Sequence, residues 1–224
     1  MKLKAISIRR VRYSIATLIL VMALSSCLSE AKEKLKRAKQ GISDVTAIAE
    51  SAQQAKEDIE ILKDAVPLTN QELKEWLPQS LDGWERTSLG VGKTGYINVA
   101  SIEGGFTNEI EWENEKGESE TIKQKFSVSI VDGAGPTGSI MIAGLGMAGK
   151  MDMEEENEYK HSKSLEVKGI KAQQTFHKKR NETALQFVYK KRFGIMVNSV
   201  KMNPEETWAM LEKLDLDRLN EMAR

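Results

Sequence analysis

Cys27, His161 and His177 are the only thiol and imidazole side chains in the 224-residue chain, so any nucleophilic or metal chemistry must be built from few groups. One cysteine excludes a disulfide framework and a zinc site of paired thiolates. Neither histidine stands in an H-E-x-x-H pattern, and no G-x-S-x-G nucleophile elbow occurs. Both imidazoles are therefore expected to be ordinary buried or surface histidines. No catalytic residue, no cofactor-binding residue and no metal ligand is assigned. Scattered Asp and Glu pairs leave one enzymatic alternative, a hydrolase whose two carboxylates face each other ~5–10 Å apart.

Three clusters resemble binding motifs. Gly144-Leu145-Gly146-Met147-Ala148-Gly149 matches G-x-G-x-x-G, the turn that brings backbone amides to a pyrophosphate. Its context is wrong, since Gly133, Gly135 and Gly138 interrupt the preceding stretch and no repeated βαβ units follow. The segment is expected either as a helix packed close to a sheet through Gly144 and Ala148, or as an apolar flap. Met141, Met147, Met151 and Met153 then fill gaps. The triplets Lys178-Lys179-Arg180 and Lys190-Lys191-Arg192 flank one strand. They form either a shared cationic patch for an anionic polymer or lipid head group, or two solvated strand ends. Glu154-Glu155-Glu156 and Glu158 lack calcium-loop spacing and are expected to be a solvated loop.

The chain carries 33 basic and 33 acidic side chains, but the balance averages two unlike parts. Residues 1–26 hold Lys2, Lys4, Arg9, Arg10 and Arg12 and no acid, which leaves 28 basic against 33 acidic beyond them, a net of −5. That excess argues against nucleic acid as a partner. After the basic stretch comes an apolar run of ten residues, Ile15 to Leu24, broken only by Thr17, then Ser25, Ser26 and Cys27. A basic region, a short apolar run and small residues describe a secretory signal peptide, and the run is shorter than the ~20 residues of a spanning helix.

Leu24-Ser25-Ser26-Cys27 resembles the lipobox of bacterial lipoprotein precursors. The resemblance implies cleavage before Cys27, diacylglycerol on its thiol, and acylation (palmitate, for instance) of the new amino group. One acyl chain binds a membrane only marginally, so two or three are what makes such an anchor stable. Leu28 stands where an Asp marks inner-membrane retention in enteric bacteria. By resemblance to that sorting rule, the expected location is the outer membrane, facing the periplasm.

Residues 27–66 form the next segment. Leu28 to Val66 has no proline and one glycine, with apolar residues in alternating steps of three and four at Leu28, Ala31, Leu35, Ala38, Ile42 and Val45, resuming after a stutter-like slip at Val45 as Ile48, Ala52, Ala55, Ile59, Leu62 and Val66. The spacing predicts a long amphipathic helix, roughly 58 Å if unbroken. It serves either as a coiled-coil stalk that sets an oligomer, or as a helix folded back on the domain. The sequence expectation is a spacer, with residues 67–224 folding without it.

From Thr69 the texture is that of an α+β domain. Thr69-Asn70-Gln71-Glu72 and Asn203-Pro204-Glu205-Glu206 are helix starts, and Asp215 to Met222 closes the chain as a turn or short helix. Between them lie strand-like runs at 83–88, 96–101, 107–112, 122–131, 165–167, 170–177, 183–190 and 193–200. The expected fold is one antiparallel sheet with helices packed on one face, and residues 108–120 drawn as a long hairpin or mobile loop.

Leu77-Pro78-Gln79-Ser80-Leu81-Asp82-Gly83-Trp84 fits an LP-x-x-L-x-G-W box. Together with Phe126–Pro136, Val167–Ala172 and Leu214–Leu219, it is similar to a loose group of uncharacterised bacterial envelope proteins. That resemblance implies an antiparallel sheet with flanking helices, broadly of PsbP type, and lends no activity. The functional expectation is a membrane-anchored envelope lipoprotein acting as a non-enzymatic binding or assembly module. Its partner would be an envelope protein or polymer, and the hydrolase alternative would act on an envelope polymer.

Overall fold

The computed structural model describes residues 50, 52–92, 99–113, 117, 119–149 and 152–223. Cys27, the leader and most of the expected stalk lie outside the described residues. The chain divides into two compact units, Met1–Glu50 and Ser51–Arg224, and the second carries the sheet with its helices.

Helix α1 (residues 52–62) leads into α2 (Asn70–Trp76), β1 (Ser80–Leu81), β2 (Trp84–Val91), β3 (Ser101–Glu113) and β4 (Ser119–Asp132). Helix α3 (Pro136–Gly149) then precedes β5 (Glu154–Glu156), β6 (Lys160–Val167), β7 (Ile170–His177), β8 (Glu182–Tyr189) and β9 (Phe193–Val200). Helices α4 (Pro204–Leu211) and α5 (Leu216–Met222) end the chain. The strands make one nine-stranded sheet in the order β1-β2-β3-β4-β9-β8-β7-β6-β5, antiparallel throughout. The first four strands meander to the centre. Helix α3 then carries the chain to the far edge, and β5 to β9 meander back until β9 pairs with β4.

Local signals account for most of these elements. Thr69 and Asn203 each close a complete capping box, with Glu72 and Glu206. Asp82 and Gly83, both at positive φ, form a two-residue turn that pairs Leu81 with Trp84. The box at Leu77–Trp84 is thus a helix end followed by a tight hairpin. Residues 108–120 belong to the long β3–β4 hairpin, which pairs out to Glu113 and Ser119. Strand β3 runs unbroken through Gly104, where two separate runs were expected. A Cβ at Gly104 would lie 2.5 Å from Leu77 Cδ2, so the glycine lets the end of α2 lie on the strand.

The core lies on one sheet face. Phe106, Phe126, Ile130, Phe187, Phe193, Ile195 and Val197, nearly inaccessible, meet Leu73 and Trp76 of α2, Trp208 and Leu211 of α4, and Leu219 of α5. Phe187 stacks on Trp208 with ring centroids 6.0 Å apart. The expectation of helices on one face is corrected, because α3 lies on the other. There Gly194 makes room: a Cβ on it would come within 2.7 Å of Leu145 and 2.8 Å of Ile142. Helix α1 joins α3, burying Ala55 and Leu62, and the Leu62 carbonyl accepts from Gly135 N at 2.9 Å. The expected domain boundary at Pro67 falls inside the compact unit Ser51–Arg224, to which α1 contributes the buried Ala55 and Leu62.

Between α1 and α2 the chain passes around the sheet end, and a buried ion pair holds it there. Asp132, with no exposed surface, accepts from Arg192 Nε at 2.8 Å and Nη2 at 2.9 Å, from Leu68 N at 2.8 Å and from Ala134 N at 3.0 Å. Arg192 also donates to the carbonyls of Val66 and Ala223. Both carboxylate oxygens and four of the five guanidinium N–H groups are engaged, so this pair acts as a clasp.

Candidate functional site: a lysine-rimmed cleft under helix α3

In a meander of hairpins, alternate turns share an end of the sheet. The β6–β7 turn at Lys168-Gly169 and the β8–β9 turn at Lys190-Lys191 therefore lie at one end, and the β7–β8 turn lies at the other. Lys168, Lys190 and Lys191 sit at φ of 50, 48 and 58°, and Arg192 N closes the second turn on the Tyr189 carbonyl at 3.1 Å. Such turns favour Asn-Gly, and a left-handed non-glycine residue costs ~1–2 kcal/mol. Stability alone does not select lysine at these places.

These turns, α1 and α3 enclose a cleft of about 760 Å³. Ile142, Ala143 and Met147 of α3, with Ile170 and Val188 of the sheet, supply its apolar surface. Lys168, Lys171, Lys190 and Lys191 stand on its rim with three carboxylates, Asp58, Glu166 and Asp217. Lys191 approaches Asp58 at 3.6 Å and Lys190 approaches Asp217 at 3.9 Å, while Glu166 stands opposite Lys171 in the β6–β7 register without an ion pair within 4 Å among the described residues. Lys168 turns to Glu212 at 2.7 Å. Exposed pairs of this kind contribute about 0–1 kcal/mol each, so the lysines are easily released to a bound anion.

A smaller hollow of about 360 Å³ lies between α4–α5 and the sheet and shares Lys168, Ile170, Tyr189 and Asp217 with the cleft. Tyr189 stands where the two meet and donates to Asp217 Oδ1 at 2.6 Å. Burial first, and the Asp217 hydrogen bond second, push its hydroxyl up to about 12, so it stays a proton donor at neutral pH. The small hollow is a packing seam. It too has an apolar wall, with Lys168 and Lys213 beside it, and the large cleft differs in its size and in gathering four lysines.

The other clusters resolve differently. The two basic triplets lie at opposite ends of β8, roughly 26 Å apart for eight residues, and form no shared patch. Lys178 is held by Glu156 at 2.7 Å, Lys179 lies 4.4 Å above the Tyr159 ring, and Arg180 pairs with Glu182 at 3.0 Å. Glu154–Glu156 is corrected from a loop to edge strand β5, paired with Lys163, Ser162 and His161. Its three acids guard the sheet edge against further pairing, and Lys178 holds the Glu156 carboxyl below the usual range.

His161 takes Glu154 at 2.9 Å, and the register Lys160↔His177, His161↔Phe176 puts the two histidines on opposite faces. A groove of about 500 Å³ beside His161 gathers Lys163, Gln174 and Glu205 without a nucleophile–base pair. Among the described residues, no group of three His, Cys, Asp or Glu is arranged to hold a metal, and no helix is long and apolar enough to cross a membrane.

The G-x-G-x-x-G segment is helix α3, not a strand–turn–helix, and Gly144 faces solvent instead of the sheet. Nothing lies within 4 Å of a Cβ built on Gly149, and only Val188 Cγ2, at 4.0 Å, meets one on Gly146. Both glycines line the cleft without being required by contacts inside the domain. Gly146→Ala is expected to stabilise the protein by about 0.5–1 kcal/mol in urea melts, through helix propensity alone. A loss of stability would mean that the wall at Gly146 is already packed.

Comparison with protein families, with curated proteins and with solved structures finds no match for this chain.

Proposed function

We propose that the chain is a lipid-anchored envelope lipoprotein whose domain acts as a non-enzymatic binding module. The anchor half of this reading rests on the sequence at residues 15–27, where the one cysteine follows a ten-residue apolar run and two serines. The single observation that carries the binding half is the cleft under α3, which joins apolar side chains to a set of lysines and carboxylates and has the size that small-molecule sites have. Outer-membrane placement facing the periplasm follows from Leu28 after the lipidated position, by the same resemblance. An oligomer through residues 28–66 and an envelope partner belong to this reading.

The anchor is tested by feeding cells a clickable fatty acid. Wild-type chain is expected to take up label, while Cys27→Ser gives an unprocessed precursor without it. Undiminished label in the mutant would remove the anchor. Crosslinking and pull-down from intact envelopes test the binding half. A cleft variant that keeps every crosslinked partner would remove the cleft from it.

A further inference from the structure

We propose that the cleft binds an anionic single-chain amphiphile, with its acyl chain along α3 and its head group among Lys168, Lys171, Lys190 and Lys191. The inference deepens the binding-module reading and rests on it, but it is independent of whether Cys27 is acylated.

Four features point to this ligand class. Its apolar part is aliphatic, made by Met147, Ile170 and Val188 together with the buried Ile142 and Ala143, which suits a hydrocarbon chain better than a sugar or a nucleotide. Helix α3 carries no charge along its fourteen residues and leaves Met147 39% exposed at the cleft and Ile140 63% exposed beyond it. A soluble surface helix normally has a charged outer face, and one apolar all round marks contact with another apolar body. Third, Gly146 and Gly149 keep the wall open although no neighbouring atom needs the space. Last, Lys168, Lys190 and Lys191 belong to two turns at one end of the sheet and Lys171 is the second residue of β7, so the cations gather at that end, the polarity of an amphiphile.

Asp58, Glu166 and Asp217 on the rim do not cancel this pattern. Lys190 and Lys191 hold Asp217 and Asp58 at 3.9 and 3.6 Å, longer than a hydrogen bond, with both lysine side chains more than half exposed and Asp58 19% exposed. Lys171 has no ion pair within 4 Å among the described residues. A carboxylate or phosphate head group thus meets one unengaged ammonium and two loosely engaged ones, and takes hydrogen bonds from them on arrival.

The test uses the full chain in phosphatidylcholine nanodiscs with three diazirine probes of equal chain length: a fatty acid, a lysophosphatidate and the uncharged fatty alcohol. At least one anionic probe is expected to label residues 142–149 and β8 saturably, about tenfold more strongly than the alcohol. Which anion labels better tells a carboxylate from a phosphate head group. Gly149→Leu, whose side chain enters open space, and Gly146→Leu should each cut that labelling about tenfold with the melting midpoint retained. Lys171→Gln with Lys190→Gln and Lys191→Gln should bring the anionic probes down to the alcohol. Three results overturn the proposal: labelling spread over the surface, plugged variants that label like wild type, or equal labelling by acid and alcohol. Absent labelling, with a dimer that Gly149→Leu disperses, assigns the cleft to a second copy of the chain instead. Because no readout depends on Cys27, failure here leaves the fatty-acid labelling test standing, and the reverse.

Discussion

Asp132→Ala is expected to lower the unfolding free energy by about 3–5 kcal/mol, the cost of removing one partner from a buried ion pair. The carboxylate has no exposed surface and takes four hydrogen bonds, two from Arg192 and two from backbone amides. Alanine leaves the Arg192 guanidinium, whose side chain is 14% exposed, without its counter-charge, and strips Leu68 N and Ala134 N of their acceptors. Since domains are stable by only ~5–15 kcal/mol, the variant is expected to sit near its unfolding midpoint at 37 °C. Asp132→Asn keeps the shape and a carbonyl acceptor, and should fall between wild type and alanine. Pairing Asp132→Ala with Arg192→Met should recover part of the loss, because the orphaned charge goes too. Urea melts of the four proteins decide it. A loss under ~1 kcal/mol for alanine would mean water reaches the site and the clasp is not a buried pair.

The sequence exposed some of this fold and concealed the rest for identifiable reasons. Helices α2 and α4 were legible because their caps are local chemistry, a Thr or Asn with Glu three residues on. Strands β7 and β9 were legible to the residue because each alternates cleanly between tight turns. Helix α3 was legible only as one of two alternatives, helix or flap, because an uncharged run with four glycines has no polar face from which a period can be read. Strand β5 is three glutamates, whose composition says loop while a sheet edge makes strand of it.

The cleft lysines were visible as residues but not as a group. Lys168 and Lys190 lie 22 positions apart and meet only because β6 to β9 form a nearest-neighbour meander. Once that order is known, parity of turns settles the rest. Lys190-Lys191 belongs with Lys168, and Lys178-Lys179-Arg180 cannot join them. The triplets suggested a patch by sequence proximity, and topology overrode it.

Removing residues 51–66 is expected to cost about 3–5 kcal/mol, estimated from one buried leucine and one charged hydrogen bond. Sequence periodicity alone leads to the opposite expectation, a fragment 67–224 that melts where the longer chain does, since an alanine-rich stripe offers little area to bury. The difference lies in two contacts that no pattern of apolar residues reveals. Leu62, 6% exposed, packs at the α3 end of the sheet, and its carbonyl caps Gly135 N. Val66, 83% exposed and energetically idle as a side chain, supplies through its backbone the carbonyl that takes Arg192 Nη2 at 2.8 Å. Deleting the segment therefore uncovers Ile142 and Ala143 and weakens the same clasp that Asp132→Ala breaks. The two changes touch one network, so their costs should fall short of additive by ~0.5–3 kcal/mol when combined. Urea melts of residues 51–224 and 67–224, each with and without Asp132→Ala, measure this. Coincident midpoints for the two fragments would show that α1 is a passenger on the domain, and the shared network would go with it.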